Sequence, residues 1–294
     1  MYKSGYVAVI GRANAGKSTL VNVLVGEKVA IVSPKPQTTR DRIMGILTTN
    51  DYQIAFVDTP GLYKADNLLN SVMQKTVNDC TEDVDLVLFL VDIHDGLTDS
   101  DIEQIKKYTS LSVPSVVVLT KTDITSEKLL IAEMEKLSEI NCDIVPVSSR
   151  KGKNLKELLK VIVNKLPEGD KLFTEDIISD RSEKFMIGEI MREKILLKFD
   201  KEIPHGVAII VNEFKLRSDK KVYDISLDII CEKPNHKAIL IGKGGKAIKE
   251  VSSFARAEME KFLDKKVFLT TYVKVEEDWR NSVRLVKQCG YSEE

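Results

Sequence analysis

Between the apolar run Tyr6-Val7-Ala8-Val9-Ile10 and a helical stretch beginning at Lys17 lies Gly11-Arg12-Ala13-Asn14-Ala15-Gly16-Lys17-Ser18. The segment meets the spacing G-x-x-x-x-G-K-[ST] in its required context, with a strand before it and a helix after it. This restricts the chain to folds in which a strand feeds a glycine-rich turn at a helix N-terminus. Dense negative charge needs many fixed donors and a backbone free of bulky side chains. Glycines let the main chain close around such a group, and the new helix adds the partial positive charge of its first turn. The candidate phosphate ligands are Gly11, Asn14, Ala15, Gly16, Lys17, Ser18 and Thr19. Lys17 is expected to reach the β- and γ-phosphates and the Ser18 hydroxyl to ligate Mg²⁺. A chance glycine turn is the competing reading, and the flanking strand and helix count against it.

A chain of 294 residues suggests two domains, and 43% hydrophobic with 30% charged residues describes an ordinary globular protein. The net charge of −1 argues against a uniformly cationic nucleic-acid binder without excluding local basic patches. Cys80, Cys142, Cys231 and Cys289 are far apart, as are His94, His205 and His236, so free thiols are expected rather than a metal site or a disulfide. Met1 to Gly5 carries no signal-peptide pattern and no run is long enough to cross a bilayer, so a cytoplasmic protein is expected.

Strands are predicted at 6–10, 45–49, 54–58, 86–92, 115–120 and 144–147, with helices at 17–25, 68–81, 99–107, 127–140 and 155–166. Short β-branched runs alternating with helices predict an α/β fold with a mostly parallel, six-stranded sheet. Only Asn50-Asp51-Tyr52-Gln53 joins the second and third strands, which predicts an antiparallel hairpin there. Asn154, with Glu157 three residues on, is the expected N-cap of the fifth helix. Leu166-Pro167-Glu168-Gly169-Asp170 then breaks the helix. We expect a first domain over 1–166, a linker over 167–179 and a second domain over 180–294. In the latter, helix 181–199, strands 205–215 and 222–231 about the turn Arg217-Ser218-Asp219-Lys220, helices 234–241 and 246–263 and strand 266–275 give the order α-β-β-α-α-β.

Three elements narrow the nucleotide. Asp58-Thr59-Pro60-Gly61 closes a predicted strand, where a carboxylate can hold Mg²⁺ and the Gly61 N–H can meet a γ-phosphate. Thr120-Lys121-Thr122-Asp123 closes another. The Asp123 carboxylate there can accept from both guanine N1–H and the 2-amino group, a donor pair that adenine lacks. Lys121 is expected to lie over the base and brace the phosphate loop. Ser148 and Ser149 follow the next strand and can offer a backbone N–H to guanine O6. Thr38 and Thr39 lie in a polar loop, 33–42, of the kind a nucleotide-dependent switch uses, with Thr39 completing the Mg²⁺ set of Ser18 and Asp58. The second switch segment is Asp58, Thr59, Pro60, Gly61 and Leu62.

In these ordered motifs, over about residues 5–166, the chain resembles the translation-factor-type P-loop GTPases. That resemblance implies GTP and GDP as ligands. Two positions depart from it. Thr120 stands where the family usually has Asn, and Leu62 where many regulatory members carry a water-orienting Gln. A leucine cannot orient water, so another device is expected. Asn14 resembles the Asn that coordinates K⁺ in some related GTPases, and a plain turn role for Asn14 stands beside that reading.

In the second domain, Gly242, Lys243, Gly244, Gly245 and Lys246 lie between two predicted helices. Glycines flanking two residues let a sugar–phosphate backbone approach the main chain, the G-x-x-G clamp of KH modules. Residues 231–266 hold nine Lys or Arg against five Asp or Glu, a local excess of +4 that favours a polyanion. Ile239 and Ile241 are candidates to lie under stacked bases, with core packing the competing reading. Trp279 carries the same two readings. The strand order resembles the type II KH domain, a smaller α+β unit. Taken together, the two domains resemble the Era-type ribosome-assembly GTPases. The resemblance implies that the KH domain recognises the 3′ end of small-subunit ribosomal RNA and that the chain binds the immature small subunit under GTP control. It also implies peripheral contact at the inner face of the membrane, and a monomer is expected. Two rivals stand beside it: an RNA-binding chaperone indifferent to nucleotide, whose GTPase domain docks on a protein, and an ATP-using enzyme with an RNA tether.

Overall fold

The computed structural model describes residues 1–62, 66–81, 83–94, 96–219 and 221–291. Lys220 of the predicted turn and the last three residues of the second domain lie outside them. The chain forms two compact units, one made of Met1–Ala30, Thr39–Tyr63 and Gln74–Asp180, the other of Ile31–Thr38, Lys64–Met73 and Arg181–Glu294.

The first unit contains β1 (Lys3–Gly11), α1 (Lys17–Val25), β2 (Ile43–Thr48), β3 (Tyr52–Asp58), the C-terminal part of α2 (Leu68–Asp79), β4 (Leu86–Asp92), α3 (Asp99–Thr109), β5 (Ser115–Thr120), α4 (Glu127–Lys136), β6 (Asp143–Pro146) and α5 (Leu155–Lys165). The six strands run in the order β2-β3-β1-β4-β5-β6. All neighbours are parallel except the β2–β3 hairpin, as the short link between them requires. Alternate residues of β1 feed opposite faces. Val7 and Val9 join Leu20, Phe56, Leu88 and Ile162 on one side, while Ala8 and Ile10 join Phe89, Ile105 and Leu137 on the other. Burial on both faces explains why these strands read as continuous apolar runs. Strand order reverses at β1, so the crevice beyond its carboxyl end is where such a sheet admits a ligand.

One local expectation fails. Asn154 adopts φ 60° and makes no capping bond to α5, and its side-chain amide instead donates to the Pro146 carbonyl at 2.8 Å. The carboxamide is spent closing the loop between β6 and α5, which leaves the helix uncapped by it. After α5 the chain stays fastened to the first unit. The Gly169 N–H donates to the Tyr2 carbonyl, and the buried Gln53 side chain accepts from the N–H groups of Leu172 and Phe173 at 2.7 and 2.9 Å. Farther on, the Ile46 N–H donates to the Ile178 carbonyl.

The second unit carries α6 (Glu183–Lys198), β7 (Val207–Leu216), β8 (Val222–Cys231), α7 (Pro234–Ile241), α8 (Lys246–Leu263), β9 (Lys266–Val275) and α9 (Val283–Gln288). Its sheet has the order β7-β8-β9, antiparallel then parallel. Ile187, Ile190, Met191, Leu227, Ile229, Leu240, Val251 and Ala255 pack between the helices and one sheet face. Trp279 is fully buried and its indole N–H donates to the Gly206 carbonyl at 2.9 Å. Trp279 is therefore a buried packing residue, its ring centroid 6.3 Å from that of Tyr291, and is not a base-stacking surface.

Candidate functional site

The phosphate loop begins where β1 leaves the sheet beside β4. At Gly11 a Cβ would stand 2.4 Å from the Leu90 carbonyl oxygen, so only glycine permits this close approach. Gly16 is the N-cap of α1 in the left-handed region, with no side chain capping the helix. The first N–H groups of α1 are thus left for an anion at the loop mouth. The Lys17 ammonium is buried and donates to the carbonyls of Gly11 and Arg12 at 3.0 and 2.9 Å. Burial pulls its pKa down to about 8 against the opposing attraction of Asp58. An anion beside it would restore the charge. Asn14 is exposed and adopts φ 62°, a conformation in which Asn suits a turn. Ala15 is buried and Thr19 is half-buried on the first turn of α1.

Ser18, Thr39 and Asp58 converge. The Ser18 Oγ lies 2.8 Å from Thr39 Oγ1 and donates to Asp58 Oδ2 at 2.7 Å, while Thr39 Oγ1 lies 3.3 Å from the same carboxylate oxygen. Burial pushes the Asp58 pKa up to about 6, against the Ser18 hydrogen bond and the Lys17 charge. Its second oxygen, Oδ1, is buried with no hydrogen-bond partner. One carboxylate and two hydroxyls fit a hard divalent cation that shares its remaining positions with water and phosphate oxygens. Among the described residues there is no cluster of His, Cys, Asp or Glu able to hold a metal without such help.

The second switch segment starts from a firm anchor, the buried Thr59 hydroxyl donating to the Val9 carbonyl at 2.9 Å. Pro60 and Gly61 are buried beside it. The Leu62 N–H points at the Gly11 carbonyl at 3.4 Å, and its side chain packs on the core that holds Ile10 and Phe89. That leaves Leu62 no part in orienting water.

At the base-recognition end, the buried Thr120 hydroxyl lies 2.9 Å from the Ala15 carbonyl in the phosphate loop and 3.1 Å from that of Val91. Thr120 thus makes the bracing contact expected of Lys121, whose ammonium pairs instead with Asp92 at the end of β4. Asp123 is exposed, and its Oδ1 accepts from the Ser148 hydroxyl at 2.7 Å, which holds the carboxyl below the usual carboxylate range. The Ser148 N–H is committed to the Lys153 carbonyl, so Ser148 acts through its side chain, on Asp123, rather than as the expected O6 donor. Ser149 is half-buried next to it. One ion pair at the phosphate loop is not predicted from the sequence. Arg12 is tied by a 3.0 Å ion pair to Asp101, which with Thr98 forms the capping box of α3. The Thr98-to-Asp101 spacing signals the helix start, but nothing in the sequence links it to Arg12.

In the second unit, Gly242 ends α7 at φ 72°, ψ 173°, and a Cβ there would stand 2.7 Å from the Ala247 Cβ. Gly244 and Gly245 also have positive φ, and Gly245 is the N-cap of α8 with no side-chain cap. Lys243 and Lys246 are exposed at this helix start. Ile239 is 49% exposed and Ile241 is half-buried, whereas Leu240 is fully buried. The competing core reading therefore fails for Ile239.

Residues 6–121 match the family model described as 50S ribosome-binding GTPase, and residues 202–280 match that of the KH domain. The GTPase Era of Clostridium kluyveri is 45% identical over 296 residues, covering 99% of this chain and 100% of that protein. The GTPase Era of Alkaliphilus metalliredigens is 42% identical and covers 99% of both. Among solved structures, Era in complex with MgGDPNP and nucleotides 1506–1542 of 16S ribosomal RNA aligns with a TM-score of 0.95 at 38% identity, covering 100% of both chains. A variant of Aquifex aeolicus Era bound to GDP and AlF4⁻ aligns with a TM-score of 0.93 at 39% identity, covering 99% of this chain and 100% of that one. With a nucleotide-binding unit and a KH unit in the same order, matched over their whole length, this chain belongs to the Era family of GTPases.

Proposed function

We propose that the chain is a GTP-hydrolysing switch whose nucleotide state sets its hold on the 3′ end of 16S ribosomal RNA during maturation of the small ribosomal subunit. The observation that carries this is the convergence of Ser18, Thr39 and Asp58, which joins the phosphate loop to both switch segments. These three would hold Mg²⁺, which when bound supplies positive charge against the phosphate oxygens. Lys17 neutralises the β- and γ-phosphates, the Gly61 N–H meets the γ-phosphate, and Asp123 selects guanine. With Thr39 and Gly61 both engaged, the loop 33–42 is ordered and RNA is held. Loss of the γ-phosphate frees both segments and lowers RNA affinity. The clamp itself is the Gly242–Gly245 turn, with Lys243 and Lys246 supplying charge and Ile239 and Ile241 apolar surface for bases. A monomer with a cytoplasmic location and peripheral contact at the inner membrane face belongs to the same reading.

The affinity of a 16S 3′-end oligonucleotide for the full-length protein, measured with a GTP analogue and with GDP, tests this. A tenfold difference corresponds to about 1.4 kcal/mol of coupling. Equal affinities would favour the nucleotide-indifferent chaperone.

Leu62 leaves the hydrolytic water without a protein orienter at that position, and Asn14 is the candidate ligand for a K⁺ ion that takes over part of that task. Turnover is expected to be faster in K⁺ than in Na⁺ buffer of matched ionic strength. Equal turnover returns Asn14 to a turn role.

A further inference from the structure

The segment Ile31–Thr38 belongs to the second unit, and the chain returns to the first between Thr38 and Thr39. Within the second unit the segment is held at several points. The Val32 N–H donates to Glu193 Oε1 at 3.0 Å, and the Lys35 ammonium pairs with Asp200 at 2.7 Å and with the Phe199 carbonyl. The Gln37 side chain donates to Asn70 Oδ1 at 3.0 Å. The deepest contact is made by Arg192 of α6, which is fully buried. Its Nε donates to Glu189 Oε1 at 2.8 Å and its Nη2 to Glu189 Oε2. The remaining fork takes two successive backbone carbonyls, Nη1 that of Gln37 at 3.2 Å and Nη2 that of Thr38.

A buried guanidinium must have its donors met, because each one left without an acceptor costs the full desolvation of that group. Glu189 balances the charge and fixes the plane of the fork, so the donors left over have one direction in which to point. Withdrawal of the segment strands two of them at once. The arrangement therefore favours one position of Thr38, and the residue covalently next to Thr38 is Thr39.

We infer that Arg192, oriented by Glu189, is a positioning residue for the switch loop: by gripping the carbonyls of Gln37 and Thr38 it sets whether the Thr39 hydroxyl reaches Ser18 and Asp58. This deepens the switch proposed above and rests on it for the RNA half of its consequences. Arg192 touches neither nucleotide nor RNA in this role. It makes a side chain of α6 part of the binding equilibrium for the γ-phosphate. Lysine cannot replace it, since a point charge on a flexible stem spans neither Glu189 and two carbonyls together nor their common plane.

The test uses the full-length protein, GDP, the GTP analogue GDPNP, Mg²⁺-containing buffer and a 16S 3′-end oligonucleotide as the RNA probe. For Arg192→Lys, GDP affinity and the RNA affinity of the GDP-bound protein are expected within about twofold of wild type, while GDPNP affinity falls by about tenfold. The GDPNP-to-GDP ratio of RNA affinities should fall toward one. By linkage, RNA should then cease to strengthen GDPNP binding by the same factor. The two GDP measurements report that each unit is folded. Should Arg192→Lys fail them, Glu189→Gln keeps the side-chain shape, weakens the hold on the guanidinium and carries the same expectation. Unchanged GDPNP affinity with an unchanged RNA ratio overturns the inference. A ratio of one in the wild type defeats the RNA switch instead, and the GDPNP-against-GDP affinities of the variant still decide whether Arg192 positions the loop.

Discussion

Asp123→Asn protein is expected to bind GTP at least about a hundredfold more weakly than wild type, a loss of about 3 kcal/mol, and to accept xanthosine triphosphate in its place. The direction follows from Ser148. Its hydroxyl donates to Asp123 Oδ1 at 2.7 Å, so in the variant the amide oxygen stays on that side and the NH2 group takes the place of Oδ2. A carboxylate presents acceptors to both guanine N1–H and the 2-amino group. The carboxamide presents an acceptor and a donor, and the donor meets the guanine amino group head-on. Xanthine keeps N1–H but carries a carbonyl at C2, which the amide N–H can satisfy. An aspartate carboxyl is ionised throughout the neutral pH region, and the Ser148 hydrogen bond favours the charged form further, so the wild-type group offers acceptors alone. Competition of GTP, xanthosine triphosphate and ATP for the nucleotide site, followed by hydrolysis assays with each, measures the change. ATP should gain nothing, since adenine has no N1–H. Retained GTP preference would place base selection elsewhere and reopen the ATP-using alternative.

What the sequence made legible here is chemistry tied to strand ends. Gly11–Ser18, Asp58–Gly61 and Thr120–Asp123 each follow a short β-branched run, so the sheet that those runs build necessarily carries the three motifs at one edge. Partners from distant strands or helices were not legible. Thr120 departs from the family's Asn, and the sequence assigns the brace on the phosphate loop to Lys121; the Thr120 hydroxyl reaches the Ala15 carbonyl because a short β-branched side chain at the end of β5 lies close to that loop. The position of Ser148 after a strand suggests a backbone donor, but a β-bridge to Lys153 uses that N–H and its side chain turns to Asp123. The four apolar residues Ala238 to Ile241 cannot all face one core on a helix of 3.6 residues per turn. Only Leu240, one turn after the buried His236, does so fully. Arg192 and Glu189 were invisible for a related reason. In the sequence they form an ordinary i,i+3 charge pair of a solvated helix face, and only packing shows that face to be buried.

The same dependence on backbone geometry makes the KH turn the sharpest place to separate RNA binding from nucleotide chemistry. Gly242→Asp combined with Gly245→Asp is expected to weaken RNA binding by at least about a hundredfold, with GTP turnover measured without RNA kept within about twofold of wild type. The two positions contribute differently. At Gly242 the conformation of φ 72°, ψ 173° belongs to glycine, and a Cβ would press to 2.7 Å from Ala247, so any side chain distorts the turn at a cost of about 1–3 kcal/mol. At Gly245 nothing lies within 4 Å of a built Cβ, so a side chain fits there sterically despite the positive φ. Its effect is then electrostatic. A carboxylate placed at the N-cap of α8, between exposed Lys243 and Lys246, competes for the helix donors a phosphate would use and cancels charge that attracts the RNA. Gly245→Asp alone should therefore lose most of the affinity with the α8 fold intact and with a shallower dependence of binding on salt. Gly245→Asn, isosteric and uncharged, should lose much less. Comparing these three proteins by oligonucleotide titration at two salt concentrations separates distortion from charge. Equal RNA affinity for the double variant and wild type would remove the Gly242–Gly245 turn from the binding site, while the nucleotide residues of the first unit would stand untouched by that result.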